Sequence, residues 1–145
     1  MSSYAVQADL EQRFGIDAVL TASDRNGKGE INVPIVNLAL VDATAEIDSY
    51  LTERYDLPLT TVPTILARVC CDIAMYRMSA DAGTLTEEKR TRFEDAIKWL
   101  TAVSKSVAGL GLASDDSVAL DLPQTSVEMA SGQRLFTRAK LGGLL

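Results

Sequence analysis

The stretch V-P-I-V-N-L-A-L-V-D-A-T-A-E-I-D-S-Y-L-T-E-R, residues 33–54, decides the fold. Its apolar residues recur every three or four positions, which is the period of a helix with one buried face. Asn32 stands where a helix cap accepts a backbone N–H, and Pro34 is tolerated in a first turn. The stretch therefore predicts a long helix that buries Leu40, Ile47 and Leu51.

Segments on both sides of this helix show the same period. Helices are predicted over about 6–14, with a further turn or two before residue 23, over 63–79, and from a cap at Thr86 through Val107. Two prolines within 55–63 and the D-A-G at 81–83 separate them. The chain is therefore expected to be all-α, a small bundle of about four helices. The predicted core comprises Leu40, Ile47, Leu51, Leu66, Ile73, Phe93, Ile97 and Leu100.

Composition and length indicate one globular unit with an arm. The 145 residues are 47% hydrophobic and 23% charged, which excludes a disordered chain. We expect no membrane span and no signal peptide, because no apolar run is long enough and the N-terminus lacks a basic start. From Gly109 onward no helical period lasts. The predicted division is a helical domain at 1–108 and an extended C-terminal arm at 109–145, with short strands as an option near 118–129.

Charge is distributed unevenly along the chain. The net charge of −6 makes nucleic acid a poor partner for the whole molecule. Asp42, Glu46 and Glu53 line one face of the long helix, and the end of the arm is basic. Either feature can be a solvated surface, and together they form the candidate partner interface. Its residues in the arm are Arg134, Leu135, Phe136, Arg138 and Lys140.

The chain offers few groups for catalysis or metal binding. The absence of histidine removes the commonest general base and the Ser–His and Cys–His nucleophile arrangements. Cys70 and Cys71 are neighbours on a predicted helix and cannot bridge each other, so one core thiol and one partly covered thiol are expected. Arg68 and Asp72 are spaced to pair along the helix predicted over 63–79, at its edge or, if half-buried, as a pair that orients it. We therefore predict no catalytic residue, no cofactor and no metal, and a protein that is not an enzyme.

One loop is similar to a calcium site without completing it. In D-R-N-G-K-G-E-I, residues 24–31, Asp24, Asn26 and Gly29 stand at positions one, three and six of an EF-hand loop. Position five is Lys28, a cation, and position twelve is Ile35 instead of a bidentate Glu. The loop is therefore predicted to be a glycine turn that does not bind calcium usefully.

The run A-L-V-D-A-T-A-E-I-D-S-Y-L-T-E-R-Y-D-L-P-L, residues 39–59, resembles a protein family of Mu-like phages and prophages. Further matching pieces occur in the same order and spacing, so the resemblance covers about residues 4–108. These pieces are D-L-E-Q-R-F-G at 9–15, L-T-A-S-D-R at 20–25, V-P at 62–63 and C-D-I-A-M-Y-R at 71–77.

That family in turn resembles the head–tail adaptors, or connectors, of long-tailed phages. The resemblance implies a ring, usually of twelve copies, beneath the portal at the head–tail joint of the virion, after synthesis in the host cytoplasm. Its implied partners are the portal protein, a tail-side completion protein and neighbouring copies. In such adaptors the C-terminal segment reaches the portal, and S-G-Q-R-L-F-T-R-A-K-L at 131–141 is similar to that segment.

A second function stays open beside the adaptor. A small cytoplasmic regulatory module could bind one protein partner through the acidic face of the long helix. The two functions differ in stoichiometry, since a ring component assembles into large oligomers and a regulator forms a small complex.

Overall fold

In the computed structural model, which describes residues 2–112, the chain is all-α and contains no strand within that range. The predicted fold class is confirmed, although five helices are present where about four were expected. None of them combines the length and hydrophobicity needed to cross a membrane. The predicted arm lies outside the described residues, apart from 109–112. The helices are α1 (Gln7–Phe14), α2 (Ile16–Ser23), α3 (Val33–Leu51), α4 (Thr64–Asp81) and α5 (Glu87–Ser104).

The additional helix arises at Gly15. This glycine has a φ of 86°, a conformation that side-chain-bearing residues rarely adopt, and its N–H donates to the carbonyl of Glu11 at 2.9 Å. The bond closes α1, and the chain resumes at once as α2. The turn or two predicted before residue 23 is therefore a helix of 8 residues in its own right.

Both predicted helix caps are confirmed. The Asn32 side-chain oxygen accepts from the Ile35 N–H at 3.3 Å, and the Thr86 hydroxyl accepts from the Lys89 N–H at 3.4 Å. At its other end α3 stops earlier than expected, because residues 52–54 form a turn in which the Arg54 N–H donates to the Leu51 carbonyl at 3.0 Å.

The core lies between α3 and α4, the pair with the most extensive contact, and α5, α1 and α2 cover it.

Phe93 and Ile97, both predicted to be buried, are half-buried, and the Phe93 ring stacks on Tyr76 with centroids 4.0 Å apart. Val107, predicted on the apolar face of the last helix, is 79% exposed because α5 ends at Ser104. The other predicted core residues are each at most 2% exposed: Leu40, Ile47, Leu51, Leu66, Ile73 and Leu100.

Both cysteines are free thiols in this core. Cys70 and Cys71 are each 0% exposed, where one was expected to be only partly covered. The Cys70 sulfur lies 3.7 Å from the Thr44 hydroxyl. Burial raises the pKa of both thiols, that of Cys71 to about 12. Neither thiol is therefore available as a thiolate nucleophile at neutral pH.

The glycine loop at 24–31 is held by its own aspartate. One carboxylate oxygen of Asp24 accepts from the N–H groups of Asn26 at 3.3 Å and Lys28 at 3.0 Å, and the other accepts from Gly29 at 2.7 Å. These bonds, that to Gly29 foremost, hold the pKa of Asp24 below its ordinary value. Both carboxylate oxygens of Asp24 thus already accept hydrogen bonds from backbone N–H groups, which is a further reason to expect no calcium binding in this loop. The absence of calcium binding stays a prediction.

Candidate interface surfaces

The acidic face of α3 is only partly free. Asp42 is exposed, whereas Glu46 is half-buried and accepts from the Arg77 guanidinium at 2.9 Å. Glu53 is exposed and lies in the turn after α3. Of the three predicted carboxylates, Asp42 and Glu53 therefore remain the ones best placed to meet another chain. The predicted arm residues lie outside the described part of the chain: Arg134, Leu135, Phe136, Arg138 and Lys140.

Beside the acidic face lies an apolar pair that sequence reasoning missed. Leu38 is 62% exposed and Val41 is 51% exposed. The two residues are three positions apart on α3, so their side chains are neighbours on the helix surface, and Asp42 follows directly. The sequence did contain a signal for this pair, because α3 has more apolar residues than its core-facing stripe requires.

An apolar cleft, here called the Tyr4 cleft, opens where the N-terminal segment crosses α3. The Tyr4 hydroxyl donates to the Asp48 carboxylate, and the Ser3 hydroxyl lies 3.0 Å from that of Thr44. Burial, with the Asp48 carboxylate, raises the pKa of Tyr4 well above its usual range, so Tyr4 stays a neutral donor. The cleft has a volume of about 470 Å³ and is lined by Ser2, Tyr4, Asp48, Thr52, Leu57, Pro58, Leu59 and Val62.

A second cleft, the Leu112 cleft, adjoins the first and shares Pro58 and Leu59 with it. It has a volume of about 400 Å³, and Leu112, the last described residue, lines it. Leu110 is only 6% exposed, and its N–H donates to the Tyr55 hydroxyl at 3.3 Å. Residues 109–112 thus pack against the helical domain, and the boundary predicted at 108 stays a prediction.

Comparison with known sequences identifies the family. The family model described as "Bacteriophage Mu, Gp36" matches residues 4–129. The chain belongs to this family. The Mu-like resemblance predicted from residues 39–59 is confirmed, and the match runs beyond residue 108, where the resemblance was expected to end.

Two relatives of this Gp36-family protein come from Mu and a Mu-like prophage. The chain is 46% identical over 116 residues to the Mu-like prophage FluMu protein gp36 of Haemophilus influenzae, covering 80% of this chain and 81% of the relative. It is 28% identical over 141 residues to Gene product J of Escherichia phage Mu, covering 97% and 98% of the two chains. The Gp36-family protein described here is therefore a phage protein.

Asp72 of this Gp36-family protein is buried, contrary to the helix-edge position predicted for it. Its side chain is 7% exposed, with Arg68 3.9 Å and Arg92 4.0 Å away. Burial raises the pKa of Asp72, while Arg92, Arg68 and Arg13 act to lower it and Asp95 to raise it. Burial is the largest of these effects, so the carboxylate is held in the core at a cost in stability.

Replacing Asp72 by Asn should change how stability depends on pH. Since the folded-state pKa lies above the unfolded one, Asp72 favours the folded state most at low pH and loses that contribution as pH rises through its folded pKa. The stability of Asp72→Asn relative to wild type should therefore increase between about pH 4 and pH 7. Urea melts across this range measure it, with the exposed Asp42→Asn correcting for the loss of one carboxylate. A relative stability that falls with pH would contradict the assignment.

Proposed function

We propose that this Gp36-family protein is a head–tail adaptor, a non-enzymatic virion protein whose copies form a ring beneath the portal. In this role it joins the DNA-filled head to the tail and contacts the portal protein, a tail-side completion protein and neighbouring copies of itself. Family membership and the resemblance of the family to head–tail adaptors support the proposal.

The observation that carries the proposal is the outer face of α3. Leu38 and Val41 are each more than half exposed, and they are neighbours on the surface of one helix, with Asp42 beside them. Contiguous exposed apolar patches rimmed by polar groups are typical of surfaces that another chain covers. In a ring each copy presents one face to a different face of the next copy. The α3 face supplies one half of such a contact.

The adaptor proposal is tested by measuring how many copies of the protein bind one portal ring. Purified protein mixed with portal rings of the same phage is expected to give a large assembly with about one copy per portal subunit, and purified virions should contain the protein in a similar ratio. A small complex with one cytoplasmic protein, together with absence from virions, would favour the regulatory module and overturn the adaptor.

Replacing Leu38 by Asp should weaken assembly on the portal without unfolding the domain. Substitutions at exposed positions usually change stability by within about 0.5 kcal/mol, whereas a charge in an apolar interface costs more than about 1 kcal/mol. We expect assembly to require about tenfold more protein, which corresponds to about 1.4 kcal/mol. Gln12→Glu, an exposed substitution on α1 that adds the same charge away from the α3 face, is the matched control. Equal assembly of the two variants would remove the α3 face from the proposed contact.

A further inference from the structure

We infer that residues 117–122 of the chain, S-V-A-L-D-L, bind in the Tyr4 cleft of their own domain as an extended segment. The inference goes beyond the adaptor function and does not rest on it. It assigns an occupant to an apolar surface that residues 2–112 leave open.

The path of the chain leads to this cleft. Leu110 and Leu112 pack against the core, which brings the chain to the Leu112 cleft. Pro58 and Leu59 line both this cleft and the Tyr4 cleft, so the two clefts are neighbours. Four residues, 113–116, precede the segment. An extended chain advances about 3.3 Å per residue, so these four reach about 13 Å. That reach exceeds the distance of about 4 Å between the Cα atoms of two consecutive residues such as those that both clefts share.

Hydrogen bonds fix the position of the residues that follow α5, so the path from α5 to the Tyr4 cleft is short. The Arg54 guanidinium donates to the carbonyls of Val103 at 3.1 Å and Ala108 at 2.6 Å. These bonds, with the one from Leu110 to Tyr55, hold the end of α5 and the residues after it against the 52–61 turn. A short tether of this kind gives the segment a high effective concentration at its own cleft, which favours binding within one chain over exchange between copies.

The residue pattern of the segment fits a cleft with one open side. Val118, Leu120 and Leu122 alternate with Ala119 and Asp121, so an extended backbone places the three large apolar side chains on one face. The cleft offers an apolar lining to that face, and its Val62 is 47% exposed in the described residues. Covering this lining removes apolar surface from water, which is the main driving force available to the contact.

The family match separates this segment from the basic end of the chain. The match runs from residue 4 to residue 129, so it includes 117–122 together with the helical domain and stops before 131–141. Docking at 117–122 therefore leaves the basic end free for the portal contact proposed above.

Cross-linking in the full chain tests the inference. The double variant Val62→Cys with Leu120→Cys should form a disulfide within one chain on mild oxidation. The native thiols should not interfere, since both are buried with raised pKa values. In the matched control, Val62→Cys with Asp121→Cys, the second thiol belongs to the opposite face of the strand, and the cross-link should be largely lost. A disulfide between two chains, or equal cross-linking of both pairs, would overturn the inference, as would no cross-link at all.

Hydrogen exchange provides a second measurement that needs no engineered thiol. The variant Leu120→Ser with Leu122→Ser should speed exchange of the amides at 55–62 by about tenfold or more, with no change in the middle of α3, because the segment no longer covers the cleft. Unchanged exchange at 55–62 would contradict the inference. Neither experiment involves the portal, so a failure here is distinct from a failure of the adaptor proposal.

Discussion

Replacing Ile47 by Ala is expected to lower the free energy of unfolding by about 2–5 kcal/mol. Ile47 is 0% exposed and belongs to α3, the helix that packs against both α4 and α5. The substitution loses the transfer free energy of the removed carbons and leaves a cavity that the surrounding helices fill only in part. Because domains of this size are stable by about 5–15 kcal/mol in total, the loss is a large fraction of the whole.

Urea unfolding of the two proteins at one temperature measures this effect, with the denaturant slope checked for equality. Val41→Ala is the matched control, since it shortens an aliphatic side chain on the same helix that is 51% exposed. The control should change stability by no more than about 0.5 kcal/mol. A cost for Ile47→Ala as small as that of the control would mean that α3 does not form the centre of the core.

The parts of the fold that depend on local chemistry could be predicted from the sequence. The helical period of residues 33–54 places Leu40, Ile47 and Leu51 on one face, and all three are buried. Asn32 and Thr86 have side chains that cap a helix, and both do so. The helical period and the helix caps both depend on residues a few positions apart along the chain, so the sequence pattern alone predicts them.

The parts that failed depend on contacts between distant segments or on weak local signals. Helical spacing shows that Arg68 and Asp72 share a face, but burial of Asp72 depends on what packs over that face, including Arg92 of α5. Val107 continues the apolar period of α5, yet the helix has already ended, and Ser106 takes a positive φ of 61° with no glycine or proline to signal it. Ordinary residues can end a helix, which limits predictions of helix boundaries.

The candidate surfaces show the same division. The acidic face was visible in the sequence as carboxylates at helical spacing, but the pairing of Glu46 with Arg77 joins residues 31 positions apart. The Tyr4 cleft forms where the N-terminal segment meets α3 and residues 57–62, and the Leu112 cleft forms where Leu112 returns to residues 54–61. Neither contact can be predicted from a local sequence pattern. The basic arm residues were predicted from composition, and their role stays a prediction.

Deleting residues 131–145 is expected to abolish binding to the portal and to leave DNA-filled heads without tails. The removed segment carries Leu135 and Phe136 as apolar anchors among basic residues. An aromatic and an arginine side by side are frequent energetic centres of interfaces. The cations should also steer the segment to an acidic surface, so wild-type binding should weaken as salt is raised. The deletion begins at 131 and not at 109 because Leu110 and Leu112 pack against the helical domain.

The deletion should leave the domain folded, which separates a lost contact from a lost structure. The five helices and their core lie within residues 2–112, so the melting temperature of the truncated protein should match that of the full chain. Replacing Arg134, Arg138 and Lys140 together by Ala, with Leu135 and Phe136 retained, should weaken portal binding and flatten its salt dependence without abolishing it. Portal pull-downs at several salt concentrations measure both variants beside the intact chain. Portal binding of the truncated protein at full strength would show that the C-terminal end is not the portal contact, because no other change distinguishes it from the wild type.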